Sequence, residues 1–296
     1  MFGDCHVHLM MDGENYKAAA SLHGDAVNEA ALRAHLAAYR DAGVRFLRDG
    51  GDRYGVSAAA KKLAPEYGID YRTPIFAIHK KGHYGGIVGL PFSDPDGYRA
   101  LVLRAKAEGA DFIKIMISGI LDFSEFGKMT ENGLDEADIR EMIGTAHAEG
   151  MAVMAHANGD AAVRAAIDAG VDTIEHGNYQ SDGTLELLAR SDTVWIPTLA
   201  PIGNLIGCGR FPDESLRKIL SCQMRNVRYA FERGAHIGLG SDAGAYLVPH
   251  GRGALDEYEY LKRAIGEKNE GFLDERLMES ESIIKEKTVK RHRTRS

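Results

Sequence analysis

The stretch Asp4-Cys5-His6-Val7-His8 sets an aspartate and two histidines at alternate positions. In a β-strand, alternate side chains share a face, so Asp4, His6 and His8 are expected to point one way and Cys5 and Val7 the other. Two imidazoles on one side of a rigid strand can hold one metal ion. A His-x-His alone fits a packed core as well as a ligand pair, so the missing ligands have to come from other strands. Four later stretches each place a charged or ligand-type residue in or at the end of an apolar run. They are Lys114 within Phe112-Ile113-Lys114-Ile115-Met116, His156 after Met154-Ala155, His176 in Ile174-Glu175-His176-Gly177, and Asp242 in Gly240-Ser241-Asp242-Ala243.

A lysine inside a buried strand is costly unless it is paired or modified. One modification is a carbamate, formed by CO2 on the amine, whose two oxygens can bridge two cations. His6, His8, Lys114 and Asp242 would then form one metal site, and His156, His176 and the same Lys114 a second. Imidazole with hard oxygen ligands suits zinc, with manganese, cobalt or iron as alternatives. Two such ions would clamp a bridging hydroxide and polarise a carbonyl, and Asp242 would take a proton from that hydroxide and pass it to the leaving nitrogen. An unmodified Lys114 would pair with Asp242 and leave a site for one ion.

These residues need elements to position them. Helix-like segments end at Gly43, Gly109, Gly150, Gly170 and Gly234, each followed closely by a β-like run. Glycine suits the left-handed cap of a helix, so the pattern reads as the short return of an alternating α/β fold. Strands are expected at residues 2–9, 44–48, 72–78, 112–117, 152–155, 173–175, 194–198 and 236–240. Helical spacing between them puts Leu32, Leu36 and Tyr39 on one face, Ile139, Met142, Ile143 and Ala146 on another, and Leu216, Ile219, Leu220, Val227 and Phe231 on a third. Asp94-Pro95 reads as an N-cap followed by proline in the first turn. Eight β/α units of this size predict a (β/α)8 TIM barrel over residues 1–266, with a doubly wound open sheet as the alternative. The long loops at 10–24, 79–93, 118–134 and 199–212 follow strands, where a barrel carries its catalytic face, and the last of them reads as a lid. Residues 267–296 read as a charged appendage compatible with a helix. Its last twelve residues, with Lys285, Lys287, Lys290, Arg291, Arg293 and Arg295 against Glu286, read as a solvated tail.

Composition narrows the class. Hydrophobic residues make up 44% and charged residues 27% of the 296, ordinary for a globular protein. The net charge of −7 argues against nucleic acid as a partner. No apolar run reaches the roughly 20 residues of a membrane span, and no signal-peptide pattern opens the chain. Three scattered cysteines, Cys5, Cys208 and Cys222, argue against a disulfide framework and for a reducing compartment, the cytoplasm. A small-molecule substrate is the expected partner, and a homo-oligomer stays open.

Taken together, Asp4–His8, the strand around Lys114, Ala155-His156-Ala157-Asn158-Gly159, Ile174–Gly177 and Gly240–Gly244 resemble the amidohydrolase superfamily, in its order and over residues 4–244. The strand around Lys114 and the loop Gly82-His83-Tyr84-Gly85-Gly86 are most similar to the branch with imidazolonepropionase, the metal-dependent prolidases and the Xaa-Arg carboxypeptidases. The resemblance implies a TIM barrel, two divalent metals on a carboxylated Lys114, and hydrolysis of an amide-type C–N bond in a cyclic amide or small peptide. It also implies a small β-sandwich domain, which this chain is expected to lack. His79, His83, Tyr84, Ser118 and Tyr246, on loops after strands, are expected to bind substrate, with Asn178 and His250 as further pocket candidates. Arg48 and Asp49 are expected to brace the barrel mouth, and Asp4 to support the site without being a ligand. Two other readings are a mononuclear deaminase of the same superfamily and an inactive barrel used as a scaffold. The deaminase reading lacks a glutamate beside His156 and leaves Lys114 surplus.

Overall fold

Ten short strands and the helices between them alternate along the computed structural model, which describes residues 2–293 and, in the last helix, side chains up to residue 289. The strands are β1 (Asp4–Val7), β2 (Phe46–Asp49), β3 (Asp70–Arg72), β4 (Ala77–Lys80), β5 (Gly89–Phe92), β6 (Ile113–Met116), β7 (Val153–Ala157), β8 (Thr173–His176), β9 (Val194–Ile196) and β10 (His236–Ile237). Every strand pair is parallel. They form two runs, β1-β2-β3 and β10-β9-β8-β7-β6-β4-β5.

Backbone hydrogen bonds join the two runs into a TIM barrel. On one seam Cys5 N donates to Leu239 O at 2.9 Å, Asp242 N to His6 O at 2.8 Å and His8 N to Ala243 O at 2.8 Å. On the other, β3 and β4 are two halves of one barrel strand. Proline has no N–H to give a ladder, and beyond Pro74 the chain turns through Ile75 at a left-handed φ of 67°. Asp52 N still donates to Ile75 O, and Asp111 N to Thr73 O, so the break is bridged on both sides. The strand expected at 72–78 is thus interrupted, and the eight barrel positions are β1, β2, β3 with β4, β6, β7, β8, β9 and β10. β5 lies outside that count and pairs with the free edge of β4.

The helices bury the faces their spacing predicts. Leu32, Leu36 and Tyr39 are buried, as are Ile139, Met142, Ile143 and Ala146. Leu216, Ile219, Leu220, Val227 and Phe231 follow the same rule on helix Asp213–Glu232. Asp94 caps its helix by accepting from Gly97 N, with Pro95 in the first turn. The loops after strands carry structure of their own, including helix Tyr16–Leu22 after β1 and the turn Ala200–Gly203 after β9.

Two expectations change. Alternation along 4–8 is broken by a β-bulge: Asp4 pairs with Leu47 and Val7 with Asp49, so Cys5 and His6 together oppose Arg48. Cys5 therefore packs with Phe46, Val194, Ile196 and Ile284, and Asp4 turns away onto Ser241. His6 and His8, beyond the bulge, still share a face. The C-terminal stretch is also more than a solvated tail. Residues Glu270–Arg293 form a helix whose Leu273, Leu277 and Ile284 are buried. Glu281 accepts from Gly3 N at 2.7 Å, Lys287 donates to the Asp192 carbonyl at 2.6 Å, and Thr288 is buried. The helix seals the end of the barrel where β1, β2 and β9 begin, because their inner residues leave an apolar floor that needs cover. The side chains of Lys290, Arg291, Arg293 and Arg295 lie outside the described residues. Among the described residues no helix is long and apolar enough to cross a membrane.

Candidate metal centre

The strands end around a cavity of about 580 Å³, lined at its base by His6, His8, Lys114, His156, His176 and Asp242. All six sequence-derived ligand candidates thus meet in one place. The Nε2 atoms of His6 and His8 lie 3.5 and 3.4 Å from the same Asp242 oxygen, Oδ1. The ligand atoms of these three residues lie within 4.8 Å of one another, close enough to hold one ion. The rings continue inward: His6 to His176 is 4.9 Å between centroids, and His176 to His156 is 4.6 Å.

Each imidazole is oriented by a second contact. His6 Nδ1 lies 2.6 Å from Glu175 Oε2. Glu175 is fully buried on β8, and its other oxygen accepts from Arg48 Nη2 at 2.7 Å and from Thr173 Oγ1. Arg48 also donates from Nε to the Cys5 carbonyl at 2.7 Å, tying β1, β2 and β8 together under the site. His176 uses Nδ1 on Thr198 Oγ1 at 2.7 Å, which leaves Nε2 for a ligand. His156 uses Nε2 on the Gly119 carbonyl at 3.0 Å, which leaves Nδ1. His176 and Asp242 both hold left-handed φ values, 68° and 57°, a conformation non-glycine residues keep only when their surroundings enforce it. For Asp242 the enforcement is visible. Asp4 accepts from Ser241 N at 2.8 Å and from its hydroxyl, and Asp242 N is held on His6 O.

Burial sets the protonation. It lowers His8 and His156 to about 3 and holds His6 and His176 well below the usual histidine range, with the Lys114 charge adding to the effect. All four rings are neutral near pH 7, the form that ligates metal. Burial raises Asp242 to about 7 and lowers Lys114 to about 8. Lys114 Nζ is buried and has no hydrogen-bond partner among the described residues. A buried amine without partners is unfavourable by itself and fits a site that something else completes.

The loop residues divide. Tyr84 lines the cavity, its ring 5.0 Å from that of His156. Tyr246 lines the mouth, with the Arg210 guanidinium 4.6 Å from its ring centre. His79, His83 and Ser118 do not line it. His79 is packed under Gly85 and bonds the Lys80 carbonyl, His83 faces Glu131 at 3.8 Å, and Ser118 accepts from Asn158 N. Asn178 lines the cavity, whereas His250 sits behind the loop after β1, bonded to the Met11 carbonyl and Tyr39. Asp49 accepts from Leu9 N and Gly51 N and so braces the mouth. Arg48 acts deeper, on Glu175. Glu175, Asn158, Gln223 and Arg210 were not singled out by sequence. The signal for Glu175 was present, a glutamate beside His176 in an apolar strand.

At the strand ends of this parallel (β/α)8 barrel, four neutral imidazoles, an aspartate and a buried lysine make a set of candidate metal ligands. The family model described as the amidohydrolase family matches residues 2–269, and the chain belongs to that family, whose chemistry is hydrolysis of C–N bonds. Over 131 residues the chain is 36% identical to an uncharacterized protein of Mycobacterium tuberculosis, covering 42% of this chain and 35% of that one. Over 291 residues it is 26% identical to ochratoxinase of Aspergillus niger, covering 86% of this chain and 58% of that one. The chain therefore matches about a third to somewhat over half the length of these curated relatives. A solved Xaa-Pro dipeptidase with methionine in its active site shares the fold, with a TM-score of 0.75 at 20% identity over 96% of this chain and 75% of that one.

Proposed function

We propose that this chain is a metal-dependent hydrolase that cleaves an amide-type C–N bond in a small molecule. The observation that carries the reading is the partnerless buried Lys114 amine in a cavity shared with His6, His8, His156, His176 and Asp242. The donor set fits two divalent cations, zinc first and manganese, cobalt or iron as alternatives. His6, His8 and Asp242 would hold one, His156 and His176 the other, and a carbamate on Lys114 would bridge them. Similarity to ochratoxinase and to a Xaa-Pro dipeptidase supports an amide as the bond cleaved. The free cysteines support a reducing, cytoplasmic setting.

The bound cations would supply Lewis acidity toward water and the scissile carbonyl. The chain supplies the rest. Glu175 and Thr198 fix the rings of His6 and His176, so a free nitrogen of each faces the cavity. Asp242 Oδ1 accepts a proton from the attacking water and returns it to the leaving nitrogen, which departs as a neutral amine. Tyr84 and the apolar wall around it limit the water that reaches the acyl group.

A one-cation site has its own support. Among the described residues, His6, His8 and Asp242 are the one group of three His, Cys, Asp or Glu side chains at ligand spacing. The experiment is to strip the protein of metal, reload it, and assay dipeptides, N-acyl amino acids, lactams and hydantoins. Cleavage that disappears on stripping and returns with zinc or manganese is expected. Metal-replete protein inert toward the whole panel points to the scaffold, and deamination of a nucleobase by a protein with one cation points to the mononuclear enzyme.

A further inference from the structure

Helix Arg252–Ile265 carries a buried acid that the proposed reaction does not use. Glu257 is fully buried, and its Oε2 accepts from Ala200 N at 2.7 Å, with Leu199 N turned to the same carboxyl. The contact answers a local need. The turn Ala200–Gly203 opens with backbone N–H groups that lack partners within it, and its N-cap is Leu199, whose side chain offers no acceptor. Glu257 supplies that acceptor from another helix. The same helix holds the rest of the loop. Tyr260 donates its hydroxyl to Asn204 Oδ1 at 3.1 Å, Asn204 Nδ2 donates to Asp256 Oδ2 at 3.2 Å, and the Tyr260 ring lies so close to Gly203 that a Cβ would not fit there.

The anchoring reaches the metal centre through Thr198, the residue before Leu199. Thr198 is buried and holds a left-handed φ of 50°, which a β-branched residue keeps only where its surroundings enforce it. Its hydroxyl has one proton and donates it to the Pro197 carbonyl at 2.8 Å. Toward His176 Nδ1, 2.7 Å away, it therefore accepts. Nδ1 carries the ring proton, and Nε2 is left as the bare nitrogen.

We propose that Glu257 is a positioning residue for His176: it fixes the backbone after Thr198, and through the Thr198 hydroxyl it keeps His176 in the Nδ1–H tautomer with Nε2 free to ligate. Its effect on a cation rests on the metal-dependent hydrolase reading above, whereas its effect on the tautomer does not. Burial raises Glu257 to about 8, so the neutral acid predominates near pH 7, and a glutamine of the same shape reproduces the acceptor.

The test reads the tautomer directly by NMR. In metal-stripped protein carrying isotope-labelled histidine, the ring nitrogen shifts separate Nδ1–H from Nε2–H, and His176→Gln identifies the His176 signals. Wild type and Glu257→Gln are expected to show the Nδ1–H form alone. Glu257→Met, which keeps the length and removes the acceptor, is expected to show both forms, as is Thr198→Val. Zinc titration of the same proteins should show affinity about tenfold lower in Glu257→Met and nearly unchanged in Glu257→Gln. Because the two residues act in series, Glu257→Met combined with Thr198→Val should bind no more weakly than Thr198→Val alone. A merely structural Glu257 would lower Tm in Glu257→Met and leave tautomer and affinity unchanged; that result overturns the inference, as do additive losses in the double variant. If wild type binds no zinc, the hydrolase reading fails, and the tautomer comparison decides the inference by itself. If Glu257→Met does not fold, amide exchange in wild type and Glu257→Gln decides it. Slow exchange at Ala200 with His176 in the Nδ1–H form supports the inference, and exchange at Ala200 as fast as at an exposed amide, or His176 in the Nε2–H form, overturns it.

Discussion

His6 Nδ1 and Glu175 Oε2 lie 2.6 Å apart, although 169 residues separate them along the chain. The contact couples the proposed metal centre to a buried ion pair, since Arg48 holds the other Glu175 oxygen. A carboxylate on the far nitrogen of a ligating histidine fixes its tautomer and raises its basicity. Glu175→Gln should therefore weaken cation binding about 10–100-fold. It should also destabilise the fold by about 3–5 kcal/mol, because Arg48 is left buried without its partner. Adding Arg48→Met should recover stability in denaturant unfolding without recovering affinity in a cation titration. Recovery of both would show that His6 does not depend on Glu175.

Asp242 carries the proton in the proposed reaction, yet its side chain is one ligand among several. Asp242→Asn keeps the shape and the contact to His6 and His8. Cation content should stay largely intact while kcat falls about 100–10,000-fold, the scale of a lost general acid–base. Steady-state kinetics and metal analysis of the same preparation check this, and near-normal turnover would remove Asp242 from the proton path.

His250 gives a pH dependence away from the ligands. Burial lowers it to about 3, and it bonds the Met11 carbonyl and Tyr39 in the neutral form. Between about 3 and 6.5 the unfolded chain binds a proton there that the folded chain does not. Stability is thus unaffected by this group above about pH 6.5 and falls below it, by up to about 1.4 kcal/mol for each pH unit. His250→Gln should flatten that part of the acid unfolding profile. An unchanged slope between pH 6 and 4 would mean that other groups carry it.

The C-terminal helix covers the barrel floor with Leu273, Leu277 and Ile284. Leu277→Ala should cost about 2–5 kcal/mol, the range for a buried leucine. Thermal unfolding measures it, and cation content should not change because the helix lies at the end of the barrel away from the cavity. A loss of cations with little loss of Tm would contradict that separation.

Much of this was legible in sequence because it is periodic or local. The helix faces repeat every three to four residues, and the ligand candidates end apolar runs, so His6, His8, Lys114, His156, His176 and Asp242 could be found one strand at a time. What escaped depends on pairing between distant segments. The bulge at Cys5-His6 exists only against Arg48 of β2, and nothing within 4–8 announces it. Glu175 reads as one more strand-end polar residue until the barrel closes and brings it to His6. His79 and His83 look like pocket residues by position, yet Gly85 packs over the first and Glu131 faces the second. The charge of the last residues hid an apolar stripe at Leu273, Leu277 and Ile284 that only the barrel floor explains.

The central claim is that Lys114 joins two cations, and the direct measurement is metal content per chain in wild type and in Lys114→Ala, both prepared with bicarbonate and zinc. Wild type should carry about two ions per chain and Lys114→Ala about one or fewer, with activity lost. One ion per chain in both proteins, with activity retained, would contradict it.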